Sequence, residues 1–490
     1  MTALMSDDRL LIDGKLVPAS DGGTYENINP ATEQVIGVAA DATADDVNAA
    51  VAAARRAFDE TDWSTNHAFR AKCLRQLQAA LLKHADEWRQ TIVAEVGAPI
   101  LLTHSAQFDV PVAGVEFAAN LAETYQYRQE LGVADTVAGK SNRFVLREPV
   151  GVVAAIVPWN FPIQIQLAKS APALAAGCTV VLKGAPATPW SASVLGRLVA
   201  EETDIPAGVF NVLTSSRNEV GQALVEHPDV DMVSFTGSTE TGKKIMVAAA
   251  PTLKKVFLEL GGKSASIVLD DADMGVAAMV SAFNITAHSG QGCAIQSRAI
   301  VPRGKVDEFV EQVGAMLAGI KQGDPTDPSV MVGPLCSEAQ RQRVLGYIQS
   351  ARDEGGTIAI GGGVPADLPV GYYVEPTVIT GLAPDAKAVR EEIFGPVLVV
   401  QEHDGDDHAI ALANDSIYGL SGGVLSADNE RAHRVAAKLR TGTVSVNGGM
   451  WYGADVPFGG YKQSGIGRES GVQGFEEYLE LKAVAEGVTE

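Results

Sequence analysis

The sequence has few cysteines and no long apolar segment. Its 490 residues contain four cysteines without a CxxC pair, so neither a disulfide framework nor a zinc site of that type is predicted. There is no run of about 18 apolar residues that would form a membrane-spanning helix. The amino terminus has no basic region followed by an apolar stretch, which argues against a secretory signal. These absences predict a soluble, cytoplasmic protein in which a cysteine can stay free to act as a nucleophile.

Positive charge is also scarce. Lys and Arg total 38 against 60 Asp and Glu, which gives a net charge of −22. Nucleic acids and anionic membranes both require a basic face, so neither is expected as the main partner. The hydrophobic fraction of 46% excludes a disordered chain. Because single cores stop growing at about 250–300 residues, at least two domains are expected.

Apolar strands alternate with helices in two successive regions. Strands are predicted at 150–157, 179–183, 209–213, 231–236 and 255–260, and then at 265–269, 298–302, 357–360, 396–400, 422–425 and 443–446. Alternation of this kind is typical of parallel sheets covered by helices on both faces. Such sheets bind ligands at the carboxyl ends of their strands. The sequence therefore predicts two α/β units with a site at a strand edge.

Four other segments have a recognisable pattern. Residues 43–59, with Thr43 and Asp46 as a capping box, and residues 69–95 are predicted to be helices. Residues 133–147 are rich in Val, Thr and Ser and are predicted to form a β excursion. The stretch that holds His288–Cys293 is predicted to be helical, and the Gly-rich 457–471 an extended loop.

The sequence contains several generic motifs. Residues 237–243 nearly match a phosphate-binding P-loop, but Lys244 replaces the magnesium-binding hydroxyl. This turn is either a phosphate site at a helix amino terminus or an ordinary strand-to-helix turn. Ser421 lies in a GxSxG pattern that precedes a strand, the wrong order for a serine hydrolase. The acidic and histidine cluster 403–408 indicates a solvated loop, so no metal site is predicted. No GxGxxG follows a strand, so the usual dinucleotide fingerprint is absent.

Three residues are candidates for chemistry, each with a structural alternative. Cys293 has small neighbours that leave a thiol approachable, and helix-end amides would lower its pKa; alternatively it is a buried core residue. Glu259 ends an apolar strand, where a partly buried carboxylate can act as a general base or form a salt bridge. Asn160 in Pro158–Pro162 can donate to an oxyanion or cap a helix.

Taken together, the motifs closely resemble the aldehyde dehydrogenase superfamily along essentially the whole chain. The matching pieces are PWNFP at 158–162, FTGST at 235–239, LELGGKS at 258–264, GQGC at 290–293, EEIFGPV at 391–397, Asn414 with YGL at 418–420, and PFGGYKQSGIGR at 457–468. All of them occur in the family's order.

The resemblance implies a reaction and roles for four residues. Cys293 would attack an aldehyde to form a thiohemiacetal, and Asn160 with the Cys293 backbone N–H would hold the oxyanion. Oxidation leaves a thioester, which a Glu259-activated water would hydrolyse to the carboxylic acid. Lys169 matches a lysine that the family places near this site for proton transfer.

The resemblance also implies a nicotinamide cofactor. The family's binding positions match Ile156, Trp159, Lys183, Gly221, Phe235, Gly237, Ser238, Leu260, Gly261, Glu392 and Phe394. The family binds the cofactor without GxGxxG, which agrees with the missing fingerprint. One departure concerns the ribose: Pro186 stands where the family has a Glu that repels a 2′-phosphate. NAD is therefore favoured as the cofactor, with NADP as the alternative.

The substrate is implied to be a small-molecule aldehyde. Matching positions for the access channel are Phe161, Ile165, Ala168, Trp451, Tyr452 and Phe458. Ala168 stands where some relatives carry a bulky aromatic residue, which leaves space for a medium or bulky apolar aldehyde. No Arg occurs among these positions to hold a semialdehyde carboxylate.

Two alternatives remain within the family: a CoA-acylating semialdehyde dehydrogenase and a non-catalytic structural member. Glu259 argues against the first, because such enzymes commonly lack it. Retention of Cys293, Glu259 and Asn160 argues against the second.

The family's architecture implies two Rossmann-like, doubly wound parallel-sheet domains and a small β arm that makes a homodimer or homotetramer. The expected division is 1–130 and 148–259 for the dinucleotide-binding domain, 260–445 for the catalytic domain, 131–147 and 473–490 for the oligomerisation arm, and 446–472 for an active-site loop returning to the cofactor domain.

Overall fold

The computed structural model describes residues 4–488 of the chain. Its α-helices, numbered in chain order, are α1 Ala44–Glu60, α2 His67–Lys83, α3 Ala85–Val96, α4 Ile100–Thr103, α5 Asp109–Thr124, α6 Pro162–Ala176, α7 Pro189–Glu202, α8 Asn218–Glu226, α9 Thr239–Ala249, α10 Met274–Thr286, α11 Val306–Ala318, α12 Glu338–Asp353, α13 Lys387–Arg390, α14 Asp406–Asn414, α15 Asn429–Ala436 and α16 Gly471–Glu476. Short 3₁₀ helices span Ala250–Thr252, Ala287–Gly290 and Lys462–Ser464.

The strands are numbered in the same way. They are β1 Leu10–Ile12, β2 Lys15–Val17, β3 Thr24–Ile28, β4 Val35–Ala40, β5 Arg128–Thr136, β6 Gly139–Pro149, β7 Val152–Ile156, β8 Thr179–Lys183, β9 Phe210–Leu213, β10 Met232–Gly237, β11 Lys255–Leu260, β12 Ala265–Val268, β13 Arg298–Pro302, β14 Thr357–Ile360, β15 Thr377–Thr380, β16 Val397–His403, β17 Ser421–Leu425, β18 Thr443–Val446, β19 Gly465–Ile466 and β20 Leu479–Gly487.

The first α/β unit is built on an eight-stranded sheet in the order β19-β11-β10-β7-β8-β9-β1-β2. Its five inner strands, β11 to β9, are parallel, whereas β1, β2 and β19 are added antiparallel at the edges. Both faces are buried, because Val153 and Ala155 of β7 pack into one core while Val152 and Ala154 pack into another. This is the doubly wound parallel sheet that the sequence predicted.

The second α/β unit is a seven-stranded sheet in the order β14-β15-β16-β13-β12-β17-β18. All neighbours pair in parallel except β14 with β15. It is also covered on both faces: along β12, Ile267 packs in one core and Val268 in another.

The segment after β18 returns to the first sheet. Its strand β19 pairs antiparallel with β11, which places Gly465 opposite Glu259 and Ile466 opposite Leu258. Close contact here requires glycine: Gly465 has a φ of +144°, and a side chain on it would collide with the Leu258 carbonyl. The pairing brings the Gly-rich loop against the strand that carries Glu259.

A separate antiparallel sheet has the order β20-β6-β5. It contains the predicted β excursion, which is a hairpin longer than expected, and most of the carboxyl-terminal part of the predicted arm. Residues 489–490 of that arm lie outside the described residues. The domain boundaries themselves stay a prediction.

Some predicted elements were wrong in extent. The helix at 69–95 is two helices that meet at His84, whose backbone N–H bonds back to Ala80 and whose ring contacts Glu202 at 2.6 Å. The stretch with Cys293 is not one helix: α10 ends at Thr286, and His288 and Ser289 both adopt left-handed backbone conformations. The cluster 403–408 is not a loop throughout, because α14 begins at Asp406. The capping box of α1 is confirmed: Thr43 N–H donates to Asp46 at 2.8 Å.

The helices within residues 4–488 include none long and apolar enough to cross a membrane.

Candidate active site

A cleft of about 210 Å³ opens where β7, β10 and β11 end, at the carboxyl edge of the first sheet. Polar and apolar side chains from both α/β units face it. They are Pro158, Trp159, Asn160, Ile165, Thr236, Gly237, Ser238, Glu259, Leu260, Gly261, Cys293, Gln340, Arg343, Glu392 and Phe394. The cleft therefore holds the predicted thiol, carboxylate and amide together, as expected for the strand edge of a parallel sheet.

Cys293 lies in a turn between α10 and β13 and is partly exposed. Burial, and then the carboxylates of Glu259, Glu392 and Glu469, raise the pKa of its thiol. The expectation that helix-end amides lower this pKa is therefore wrong for the protein alone, because α10 ends at Thr286 and the intervening turn removes the thiol from the helix axis. A base or a cation at the cleft would favour the thiolate.

The turn before Cys293 is conformationally strained. His288 has a φ of +49° and Ser289 a φ of +53°, values that cost energy for residues with a Cβ. The Ser289 hydroxyl donates to the Gly333 carbonyl at 2.7 Å, and the His288 ring contacts the Phe161 ring at 5.0 Å between centroids. These contacts hold the turn in a conformation that presents Cys293 to the cleft.

Glu259 is the penultimate residue of β11 and is 2% exposed. Both carboxylate oxygens lack a hydrogen-bond partner among the described residues. Burial, and next the neighbouring Glu469, raise the pKa of Glu259 well above its usual value, while Lys169 and Arg468 oppose the shift. A buried carboxylate with free oxygens and a raised pKa has the properties of a general base.

Lys169 does not line the cleft; it lies on α6 with its side chain fully buried. Its ammonium pairs with Glu469 at 3.1 Å and lies 4.7 Å from the centre of the Phe257 ring. Glu469 is itself 8% exposed, so the pair is desolvated on both sides. The pair adds both a negative and a positive charge to the surroundings of Glu259, and the negative one has the larger effect on its pKa.

Asn160 is 2% exposed and is held from two directions. Its carbonyl accepts from Gln107 Nε2 at 2.8 Å, and its Nδ2 donates to the Gln291 carbonyl at 2.8 Å. The amide has a second N–H for another acceptor. The bond to Gln291, two residues before Cys293, fixes the amide beside the nucleophile's turn.

A groove of about 910 Å³ adjoins the cleft across the end of β10, since Phe235 lines the groove and Gly237 the cleft. Ile156, Lys183 and Gly221 also line it. Lys183 donates only to the Gly184 carbonyl, at 3.2 Å, and burial lowers its pKa to about 8. A Cβ on Gly221 would lie 3.7 Å from the Lys183 side chain and fill the space beside the ammonium. The groove thus presents the Lys183 ammonium, which has further N–H donors, to a ligand.

The turn at Gly237 and the opposite wall complete this region. Ser238 caps α9 by accepting from the Thr241 N–H at 3.2 Å, so the first amides of the helix remain available for an anion. Glu392 accepts from the Gly262 N–H at 2.9 Å, and burial raises its pKa to about 7. Phe394 has a φ of +63° and packs edge-on against Trp159 with centroids 5.4 Å apart.

The six predicted substrate residues are divided among four places. Ile165 faces the cleft, and Phe161 packs against His288. Ala168 and Tyr452 line a second, apolar cavity of about 60 Å³ beneath α5 and α6. Trp451 and Phe458 stack at 5.4 Å and are not among the residues that line this cavity.

The sequence did not reveal several residues of the site. Glu469 follows the recognised Gly-rich motif directly, but no local pattern marks a glutamate in a loop as a partner of Lys169. Gln340 and Arg343 lie on α12, whose helical pattern gave no sign that its first turns reach the cleft. Arg343 donates to the Glu392 carbonyl at 2.7 Å and so supports that wall.

This arrangement is typical of dinucleotide-dependent enzymes. It combines two α/β sheets, a cleft that holds a thiol, a carboxylate and an amide, and a nucleotide-sized groove beside that cleft. The sequence profile of the aldehyde dehydrogenase family matches residues 16–484, and the chain belongs to this family.

Relatives match over nearly their full length. The chain is 43% identical to a 3-succinoylsemialdehyde-pyridine dehydrogenase of Pseudomonas sp, over 96% of this chain and 97% of that protein. It is similar in structure to aldehyde dehydrogenase C of Pseudomonas syringae, crystallised as a cysteine-to-alanine mutant with NAD⁺ and octanal, with a TM-score of 0.94, 39% identity and coverage of 99% and 98%. It is also similar to betaine aldehyde dehydrogenase of Staphylococcus aureus in complex with NAD⁺, with a TM-score of 0.94, 38% identity and coverage of 98% and 94%.

Proposed function

We propose that this protein oxidises an aldehyde to a carboxylic acid with NAD as cofactor and Cys293 as nucleophile. The observation that carries the proposal is the meeting of Cys293, Glu259 and Asn160 in one cleft of a chain of this family. The direct test adds an aldehyde and NAD to the purified protein and follows the absorbance of the reduced cofactor. Absence of reduced cofactor across aldehydes of different size would contradict the proposal.

The chain's residues divide the reaction into two covalent stages. The Cys293 sulfur bonds to the carbonyl carbon, and the carbonyl oxygen takes the negative charge. The free N–H of Asn160 Nδ2 and the Cys293 backbone N–H donate to that oxygen. The Gly237 turn and Glu392 would hold the cofactor, which would supply the acceptor for the hydride that the adduct expels as the thioester forms. Glu259 then takes a proton from water as the water adds to the thioester, and the Cys293 thiolate leaves.

The thiol must lose its proton before attack. Burial and three carboxylates raise the pKa of Cys293, so the thiolate is rare in the protein alone. Glu259 is the charged group with the largest effect on this thiol, and its oxygens have no hydrogen-bond partner among the described residues. We infer that solvent takes the thiol proton in the first stage and that Glu259 is the base for water in the second.

Cofactor binding uses the groove and the Gly237 turn. The Lys183 ammonium and the free amides of α9 provide positive potential for the adenosine and pyrophosphate end, and Glu392 offers a carboxylate for ribose hydroxyls. NAD complexes of two structural relatives support NAD for this chain.

Pro186 leads to a prediction about the choice between NAD and NADP. Pro186 is exposed and brings no charge to the ribose end. We expect the wild type to prefer NAD, and Pro186→Glu to raise the NAD-to-NADP ratio of kcat/KM by about tenfold, because a carboxylate near a 2′-phosphate costs about 1.4 kcal/mol at a solvated site. Steady-state kinetics with both cofactors give the ratio. Pro186→Gln is the uncharged control, and a wild type that prefers NADP would contradict the expectation.

The apolar cavity indicates the substrate class. Its walls carry no charged side chain, and the polar side chains among them are Gln164, Ser470 and the Tyr452 hydroxyl. A semialdehyde carboxylate needs a cation, which these walls lack, and an ammonium group would find no carboxylate there. Ile165 lines the cleft and Ala168, one helical turn on, lines the cavity. We propose that a neutral, medium-sized aldehyde places its carbonyl at Cys293 and its apolar tail along this face of α6.

Ala168→Trp tests the tail position. We expect the variant to lose about 10–100-fold in kcat/KM with octanal and less than about threefold with propanal, because the indole fills the cavity but leaves the thiol accessible. The measurement is kcat/KM for octanal and propanal, with wild type and variant compared side by side. Equal losses for both aldehydes would contradict the assignment, as would best turnover of succinic semialdehyde by the wild type.

We also propose that the β20-β6-β5 sheet joins copies of the chain into a homodimer or a homotetramer. Several of its apolar side chains are exposed, including Leu131, Val133 and Leu481 at 52%, 58% and 70%. Light scattering of the purified protein distinguishes a monomer, a dimer and a tetramer.

A further inference from the structure

A buried glutamine outside the cleft is bonded to Asn160. Gln107 lies between α4 and α5, is fully buried, and is not among the residues that line the cleft. Its Nε2 donates to the main-chain carbonyl of Asn160 at 2.8 Å. Gln107 therefore does not contact an aldehyde in the cleft, but it contacts the residue that would hold the oxyanion.

The main chain of Asn160 has no support from secondary structure. The residue lies in the bend between β7 and α6, and among the described residues no main-chain N–H bonds to its carbonyl. The Ile165 N–H of α6 bonds to the Phe161 carbonyl at 3.0 Å, one residue beyond Asn160. The bond from Gln107 therefore fixes a peptide group that neither the strand nor the helix holds.

The side chain of Asn160 is held from the second α/β unit. Its Nδ2 donates to the Gln291 carbonyl at 2.8 Å. Gln291 is also fully buried: its Oε1 accepts from the Cys336 N–H at 2.9 Å, and its Nε2 donates to the His288 carbonyl at 3.2 Å. The two bonds on Asn160 thus hold its main chain and its side chain separately, and they leave one N–H of the amide for the cleft.

The other half of the Gln107 amide makes no hydrogen bond. Its Oε1 is buried and has no partner among the described residues. Burying an unpaired polar atom destabilises a fold, and a methionine of similar shape would bury no such oxygen. What a glutamine adds over a methionine at this position is the N–H that the Asn160 carbonyl accepts.

We propose that Gln107 is a positioning residue for aldehyde oxidation: by holding the Asn160 carbonyl, it keeps the free Nδ2–H of Asn160 directed at the oxyanion. This role rests on the proposed function, in which Asn160 donates to that oxyanion. A donor stabilises developing charge most when it is already in place, and a displacement of about 1 Å lowers the rate strongly. Because Gln107 acts through Asn160, its effect must disappear when the Asn160 amide is absent.

A double-mutant cycle tests this dependence. Gln107→Met removes the donor and keeps the length of the side chain. We expect it to lower kcat/KM for octanal about tenfold and to change the Kd of NAD by less than about twofold. In an Asn160→Ala background the same substitution should change kcat/KM by less than about twofold. Equal losses in both backgrounds, or no loss in the wild-type background, would overturn the proposal.

Gln166→Met is the matched control for this cycle. Gln166 of α6 is also fully buried, and neither polar atom of its amide has a partner among the described residues. It lines neither the cleft nor the apolar cavity, so kcat/KM should stay within about twofold of the wild type. A loss equal to that of Gln107→Met would show a general effect of packing and overturn the proposal.

The single variant Asn160→Ala separates this inference from the proposed function. It should lose about 10²–10³-fold in kcat/KM, as expected for an oxyanion donor. Full activity in Asn160→Ala would contradict the proposed function itself, and the positioning role with it. A large loss in Asn160→Ala with no loss in Gln107→Met would overturn the positioning role alone.

A crystal structure of Cys293→Ala with NAD and octanal gives a readout that needs no Gln107 variant. We expect Asn160 Nδ2 within about 3.2 Å of the octanal oxygen, with Gln107 Nε2 still within about 3.2 Å of the Asn160 carbonyl. A broken bond between Gln107 and Asn160, with Nδ2 in place on the octanal oxygen, would overturn the proposal.

Discussion

Cys293→Ala is expected to lower kcat/KM for aldehyde oxidation by at least about 10⁴-fold, because no covalent adduct can form without the thiol. Other cysteines cannot replace it: Cys73, Cys178 and Cys336 are buried, and burial raises the pKa of each. The measurement is the initial rate of cofactor reduction. The dissociation constant of NAD should change by less than about twofold, because the groove residues stay in place.

Cys336→Ala is the matched control for this experiment. Cys336 is 5% exposed and lies next to the nucleophile's turn, since its N–H donates to Gln291 Oε1 at 2.9 Å. Removing its sulfur should leave kcat/KM within about threefold of the wild type and affect stability instead. Full activity in Cys293→Ala would rule out the proposed nucleophile.

Glu259→Gln is expected to separate the two stages of the reaction. The amide has the same shape but cannot take a proton from water, so the thioester should accumulate. We expect a rapid burst of about one reduced cofactor per site at high pH, and a steady-state rate lowered by about 10²–10⁴-fold. Stopped-flow absorbance measures both phases. A proportional loss of burst and steady state would instead make Glu259 essential for the first stage.

The pH dependence of the wild type should follow the same carboxylate. Burial and Glu469 raise the pKa of Glu259, so below that pKa the group is protonated and cannot act as base. The steady-state rate should therefore rise with pH as the proton is lost, and Glu259→Gln should lose this rise. Glu469→Gln removes the repelling charge, so the rise should move to lower pH. An unchanged profile in Glu469→Gln would contradict this electrostatic account.

The local elements were largely predictable because they follow from short-range patterns. The apolar runs at 179–183 and 255–260 are strands with those bounds, since a fully buried strand needs no polar face. The predicted elements were wrong where contacts between residues far apart in the chain determine the local structure. His84 divides a periodic stretch into two helices through its contact with Glu202, and the turn before Cys293 depends on Ser289 and Gly333.

The candidate site was predictable only in part. A strand that ends in Glu259 and a motif that contains Cys293 are visible in the sequence, and parallel topology places strand ends at one edge. The pairing of Lys169 with Glu469 is not visible, because 300 residues separate them along the chain. The shape of the apolar cavity could not be read either, since α5, α6, the loop at 452–454 and α16 each contribute part of its wall.

By itself, the sequence determined the two α/β units, the candidate thiol, carboxylate and amide, and the absence of a charged clamp among the expected substrate positions. Only the tertiary structure decided the electrostatic surroundings of those groups: that the pKa values of Cys293 and Glu259 are raised, and that Lys169 pairs with Glu469. The physical reason is that periodicity and motif order are local properties of a chain. Desolvation and the distance between charges depend on which segments fold against each other.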